Sequence, residues 1–371
     1  MQQKSRSSTD FLTAFSTLIS NARLGSILRC HGPAKRSPAI VPAICLVRAL
    51  VFHLLRGTGT LSENLQLLHQ ETLCPSSMSE RRANLPWKVF QMIMETALRP
   101  QAREEKHPMA FYKHWLLVAI DGTQFSVTNT PQILSSLSKA TSRRMKAAFA
   151  KVGLAVLVEL GVHNPLAAEI GQNGESEMGL SKRLLARLPA KCLLICDRYY
   201  GVGAFLGLLV ERFQEISGAF LLRVRSNLAP TVVKRLSDGM RQSPVLNSHT
   251  VHTAAQEVAA LVLAHAVVAR SRIEAASEAG SEVVRISFGK TLAMVRSLWL
   301  VLAAGNGIIT GKQAAALTER VMAHLADAIL PERRKRSCPR KVRQPVSSWP
   351  RLAENSYEIG KIEYEVLNAY A

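Results

Sequence analysis

From Phe11 to about Pro100 the apolar positions recur at helical spacing, with turn residues between segments (Gly57-Thr58-Gly59 and Cys74-Pro75-Ser76-Ser77) and no alternating strand. Phe90, Ile93, Met94 and Ala97 fall at i, i+3, i+4 and i+7, one apolar stripe on a helix that Pro100 stops. From about Trp115 the texture changes to short apolar runs separated by helical stretches. Runs at 116–120, 151–160, 167–170, 192–196 and 219–224 predict five strands of a sheet covered on both faces. Between the last two, Phe205, Leu208, Leu209 and Phe213 share one face of a helix.

Three strands in succession, then strand, helix, strand, is the order of a ribonuclease H-like α/β fold. The chain accordingly divides into a helical N-terminal domain (residues 1–105), a ribonuclease H-like domain (106–330) and a basic C-terminal tail (331–371). Beyond Val224 the strand signal stops. Residues 225–247 are polar and turn-rich, 254–276 and 288–302 read as apolar helices, and a basic cluster follows at Arg333, Arg334, Lys335, Arg336, Arg340, Lys341 and Arg343. That cluster reads equally as a DNA-backbone contact or as a disordered tail.

Charge sharpens the picture. Lys and Arg number 47 against 27 Asp and Glu in 371 residues, a formal net charge of +20. Cations at that density suit a polyanion, because those that meet phosphates release condensed counterions; double-stranded DNA is the expected partner. The cysteines are scattered, and Cys192 and Cys196 sit inside an apolar run as buried strand residues rather than metal ligands, which fits a reducing cytoplasm. No secretory signal is read at the N-terminus, and the run at 258–269 is too short to cross a bilayer, so a soluble, cytoplasmic protein is expected.

Two aspartates carry the candidate chemistry, because each ends an apolar strand and begins a turn: Leu117-Val118-Ala119-Ile120-Asp121-Gly122-Thr123 and Leu193-Leu194-Ile195-Cys196-Asp197-Arg198. The carboxyl ends of central strands are where open α/β sheets place their sites. Two carboxylates brought together there repel unless a divalent cation neutralises them. Magnesium, with manganese as its substitute, suits such a pair: it takes one or two protein carboxylates and completes its octahedron with water and phosphate oxygens. Two ions sharing carboxylates activate a water or a 3′-hydroxyl for in-line displacement at phosphorus. Taken singly, either Asp reads as a turn cap.

The same motifs resemble those of DDE transposases of the bacterial insertion-sequence family numbered four, the Tn-five-like family. Asp121-Gly122-Thr123 is similar to the first-acid motif and Asp197-Arg198-Tyr199-Tyr200 to the second. Further likeness lies, in order, at Arg81-Arg82-Ala83-Asn84-Leu85-Pro86-Trp87, Gly174-Glu175-Ser176-Glu177, Leu222-Arg223-Val224-Arg225, Arg285-Ile286-Ser287-Phe288 and Arg336-Ser337-Cys338-Pro339. The resemblance implies cut-and-paste transposition by a homodimer bridging terminal inverted repeats and target DNA. It implies magnesium on Asp121 and Asp197, and DNA contacts from Arg198 and from Tyr200, whose ring reads equally as core. Arg81 and Arg82, near an expected helix start, either face a groove or form a solvated face.

The family's third motif, a helix carrying Tyr, Arg, the catalytic Glu and Lys, is missing from its usual place. Lys234 to Gly239 is followed almost at once by Leu246-Asn247-Ser248, which points to an internal deletion near 238–246. Glu175, Glu177, Glu257 and Glu274 read as ordinary acids rather than stand-ins. Without a third carboxylate, transfer is expected to slow by orders of magnitude. The alternative function is a non-catalytic DNA-binding remnant or inhibitor.

Overall fold

The computed structural model describes residues 15, 18–32, 42–137, 139, 148–222, 250–305 and 308–330. Among the described residues five N-terminal helices come first: α1 (Asn21–His31), α2 (Ala43–Arg56), α3 (Leu61–His69), α4 (Pro75–Ala83) and α5 (Trp87–Ala97). The expected turn between α2 and α3 is made by Gly57, whose φ of 70° suits a residue without Cβ, and by Thr60 and Glu63, which form a reciprocal capping box at the start of α3. Along α5 the predicted stripe of Phe90, Ile93, Met94 and Ala97 is buried.

The α/β part then runs β1 (Phe111–Tyr112), β2 (Trp115–Val127), α6 (Pro131–Ser136), β3 (Ala150–Glu159), β4 (Asn164–Ile170), α7 (Glu177–Leu184), β5 (Cys192–Cys196), α8 (Gly203–Ile216) and β6 (Ala219–Leu222). Three further helices follow: α9 (Val251–Glu278), α10 (Phe288–Ala304) and α11 (Gly311–Ala326). The sheet order is β4-β3-β2-β5-β6, with β1 paired to the start of β2. β2, β3 and β4 are mutually antiparallel, whereas β5 runs parallel to β2 and β6 parallel to β5. A mixed sheet of this order, flanked by helices, is consistent with a ribonuclease H-like plan.

The five expected strands all form, β4 beginning at Asn164 rather than 167 and β2 extended most. β2 does not stop at Ile120; it continues through Asp121 and Gly122 because β3 pairs with it as far as Val127 opposite Ala150. The first acid is therefore inside a strand rather than after it. Residues 223 and 224, expected at the end of β6, lie outside the described residues.

Two apolar cores hold the layers. In one, Phe125, Val127, Val152, Leu154 and Ile170 of the sheet pack with Val51, Phe52, Phe90 and Ile93 of the N-terminal helices, Val258 and Leu263 of α9, and Trp299 of α10. In the other, Leu116, Val118, Ile120, Leu157 and Leu194 pack with Leu180 and Leu184 of α7 and Phe205 and Leu209 of α8. The second places α7 and α8 against β5 and the first half of β2, up to the residue before Asp121. The alternation of β2 explains the split: Leu116, Val118 and Ile120 are buried on one face, Phe125 and Val127 on the other.

α9 reaches beyond the expected 254–276 to 28 residues, long and apolar enough to span a bilayer, but 78% of its apolar window is buried inside the protein. That burial is the signature of a core helix. Residues 232–242 and 332–371 lie outside the described residues, and with them the expected deletion near 238–246 and the basic cluster from Arg333 to Arg343.

Candidate active site

β2 and β5 are parallel neighbours, in register up to Ala119 opposite Ile195. Asp121 and Asp197 each stand two residues further along, so the register carries both acids to one level of the rim. The charge of Asp197 acts on Asp121. Burial pushes the Asp121 carboxyl above the ordinary carboxylate range and the charge of Asp197 adds to the rise, against the pull of the Gly122 N–H. Each acid also serves its own turn. Asp121 Oδ1 accepts from the Gly122 N–H at 2.8 Å, and Asp197 Oδ1 accepts from the Tyr199 N–H at 2.8 Å, capping the 3-10 turn Arg198–Tyr200. Capping and convergence coexist, so the first does not account for the second.

A third carboxylate lies against the residue that follows Asp121. Glu177 opens α7, whose N-cap Ser176 accepts from the Gly179 N–H at 3.1 Å. Its side chain lies over the backbone of Gly122: a Cβ at that position would come within 2.2 Å of Glu177 Cγ and Cδ. The glycine after Asp121 is thus what admits Glu177. The Tyr200 hydroxyl donates to Glu177 Oε1 at 2.8 Å, while the Ser181 hydroxyl donates to the phenol oxygen at 3.2 Å. Burial raises the Glu177 carboxyl above its ordinary range; the Tyr200 hydrogen bond opposes this, and the charges of Asp121 and Asp197 add to it. The sequence reads Glu177 as an ordinary acid; the structure seats it over Gly122 and bonds it to the Tyr200 hydroxyl. Its signal was faint, a Ser-Glu helix start whose neighbours are set by residues remote in the chain.

The other expected contacts distribute unevenly. Arg198 and Tyr199 are exposed beside Asp197. Tyr200 is fully buried, packed against Phe205 at 5.3 Å and edge-on to Tyr199 at 5.4 Å, so its ring has no open face for a base; the DNA contact expected of it gives way to core packing and the bond to Glu177. Trp115 is half-buried at the start of β2.

Arg81 and Arg82 lie in the last turn of α4 rather than near a helix start, because Pro75 at its first position begins the helix earlier. Arg82 turns inward, donating to Glu257 Oε1 at 2.8 Å and to the Thr253 carbonyl at 2.5 Å, which ties α4 to α9. Both partners are largely buried, so Arg82→Ala leaves the Glu257 carboxylate without its cation. A loss of about 2 kcal/mol is expected for a charged hydrogen-bonded contact of this kind; urea unfolding of the variant measures it, and an unchanged midpoint would show the contact to be dispensable.

The two aspartates fit a hard divalent cation by donor chemistry: oxygen ligands at one level of the rim, one of them held above its ordinary range partly by the other's charge. Among the described residues no group of three or more His, Cys, Asp and Glu side chains is already arranged to hold a metal ion. Cys192 and Cys196 are buried in β5, and burial raises their thiols to about 11 and about 12, as expected of inert strand cysteines.

No family model and no curated protein matches the sequence. Among solved structures the chain is similar to a piggyBac transposase in a synaptic complex with hairpin DNA, at 12% identity and a TM-score of 0.44 over 89% of this chain and 87% of that one. A likeness so remote identifies neither a fold nor an activity.

Proposed function

We propose that the chain is a DDE-type transposase, or a descendant of one, acting on double-stranded DNA at an Asp121–Asp197 metal site. The observation that carries this reading is the register of neighbouring parallel β2 and β5, which brings Asp121 level with Asp197 just past β5, where the charge of Asp197 acts on Asp121. Magnesium, or manganese in its place, would supply Lewis-acid stabilisation of charge at a phosphodiester and a nucleophile at neutral pH. The chain's own residues do the rest: Asp121, within β2, and Asp197, just past β5, would hold the ion, and the Gly122 and Tyr199 N–H groups orient their carboxylates. Arg198, exposed next to Asp197, would meet a phosphate. The net charge of +20 supports a DNA partner, and the resemblance of the motifs supports terminal inverted repeats, target DNA and a homodimer.

A supercoiled plasmid, incubated with the full chain in magnesium or manganese, tests the reading. Nicking that EDTA stops is expected, together with binding that weakens steeply as salt rises. Salt-sensitive binding without nicking at any metal concentration would overturn the enzymatic reading and leave a non-catalytic DNA-binding remnant. Absence of binding would remove both.

A further inference from the structure

We propose that Glu177, seated over Gly122 and oriented by Tyr200, is the third carboxylate of this site and sets its affinity for a divalent cation by acting on the ion through its water shell. The inference rests on the metal-dependent reading above and deepens it. It gives the third acid a source outside the 238–246 stretch where the sequence motif is lost.

Glu177 is fixed from two sides, each belonging to one of the aspartates. On the first side, its Cγ and Cδ fill the space left by the missing side chain of the residue after Asp121. Any larger residue at 122 would push the carboxyl away, since the hypothetical Cβ contacts of 2.2 Å are far inside van der Waals distance. On the second side, the phenol that binds Oε1 comes from Tyr200, at the end of the turn that Asp197 caps. The Tyr200 ring is fully buried, and its hydroxyl sits between Ser181 and Glu177, so its direction is set by packing as well as by hydrogen bonds. Glu177 is thus built into the rim.

The mode of action comes from the arrangement of the three acids. They do not make a ready three-ligand cage among the described residues, yet Glu177, seated over the residue after Asp121, lies within reach of the charges of both aspartates. Magnesium and manganese retain several waters, and a carboxylate beyond direct reach accepts hydrogen bonds from those waters. Such outer partners matter: removing one costs about 10- to 100-fold in metal affinity. Tyr200 is a positioning residue here, acting through Glu177.

The test is manganese binding to the full-length protein without DNA, followed by isothermal titration and by the loss of the free-ion electron paramagnetic resonance signal. Glu177→Gln, nearly isosteric, is expected to weaken binding by about 10- to 100-fold. Tyr200→Phe, which keeps the buried ring, is expected to weaken it less, and to add nothing in the Glu177→Gln background. A merely structural tyrosine would not show that non-additivity. Circular dichroism on every variant confirms folding. Loss of manganese binding in Asp121→Asn with wild-type affinity in Glu177→Gln would overturn this inference alone. Wild-type protein that fails to bind manganese, or Asp121→Asn that binds it unchanged, would overturn the metal site itself.

Discussion

Asp121→Asn and Asp197→Asn will each slow metal-dependent plasmid nicking by about a thousandfold, with the fold intact. The size follows from the several kcal/mol that a Lewis-acidic ion contributes to a phosphoryl transition state; about 4 kcal/mol of it corresponds to a factor of about a thousand. Asparagine is the informative substitution because it keeps an Oδ1 acceptor for the Gly122 and Tyr199 N–H groups, and so preserves both turn caps while deleting the charge. Were the aspartates only caps, nicking by the variants would match the wild type. Both variants are also expected to lose the thermal stabilisation that manganese gives the wild type, since an ion that binds only the folded state raises its stability in proportion to occupancy. The two readouts together separate loss of the ion from loss of the fold.

Much of this site is legible in the sequence because it is written on buried strands. The runs around Ile120 and Cys196 are continuous in apolar residues, so their ends, and the acids standing there, can be found without knowing what they pack against. A polar interruption hides the rest of β2: Asp121-Gly122-Thr123-Gln124 reads as a turn, yet β3 carries it on as strand by pairing to Val127. Side-chain partners are harder still. Arg82 looks like a free basic group on a short helix, but its carboxylate partner lies 175 residues away on α9. Tyr200 looks like a base-stacking aromatic because it follows an acid, and only Phe205 and the start of α7 reveal it as buried. Glu177 is hard to judge for the same reason, since its surroundings are set by a glycine in β2. Local pattern fixes elements, while the chemistry of a charged side chain is decided by whichever remote group the fold brings to it.

Glu159 shows what such remote partnering is worth to stability, and its replacement should have the largest effect on the fold. The residue ends β3, fully buried, and its carboxylate accepts the Gln101 N–H on both oxygens at 3.0 Å, the Ala102 N–H at 2.9 Å and Asn164 Nδ2 at 2.6 Å. It therefore fastens the segment after α5 onto the sheet. Glu159→Leu removes every acceptor and orphans two backbone donors, for an expected loss of about 3 kcal/mol. Glu159→Gln keeps one carbonyl oxygen but turns an NH2 toward donors, and should cost less. Burial raises the Glu159 carboxyl above its ordinary value of 4.5, outweighing the Ala102, Gln101 and Asn164 hydrogen bonds and the nearby Arg270 charge that pull it down. A carboxyl whose folded value lies above its unfolded one binds its proton more tightly in the folded state. Its contribution to stability is full below about 4.5 and declines as pH rises through the folded value. Urea midpoints of wild type and Glu159→Gln, compared from acid to neutral pH, should therefore show the wild-type advantage shrinking as pH rises. An advantage that grew instead would mean that the four hydrogen bonds outweigh burial and that the carboxylate is held ionised.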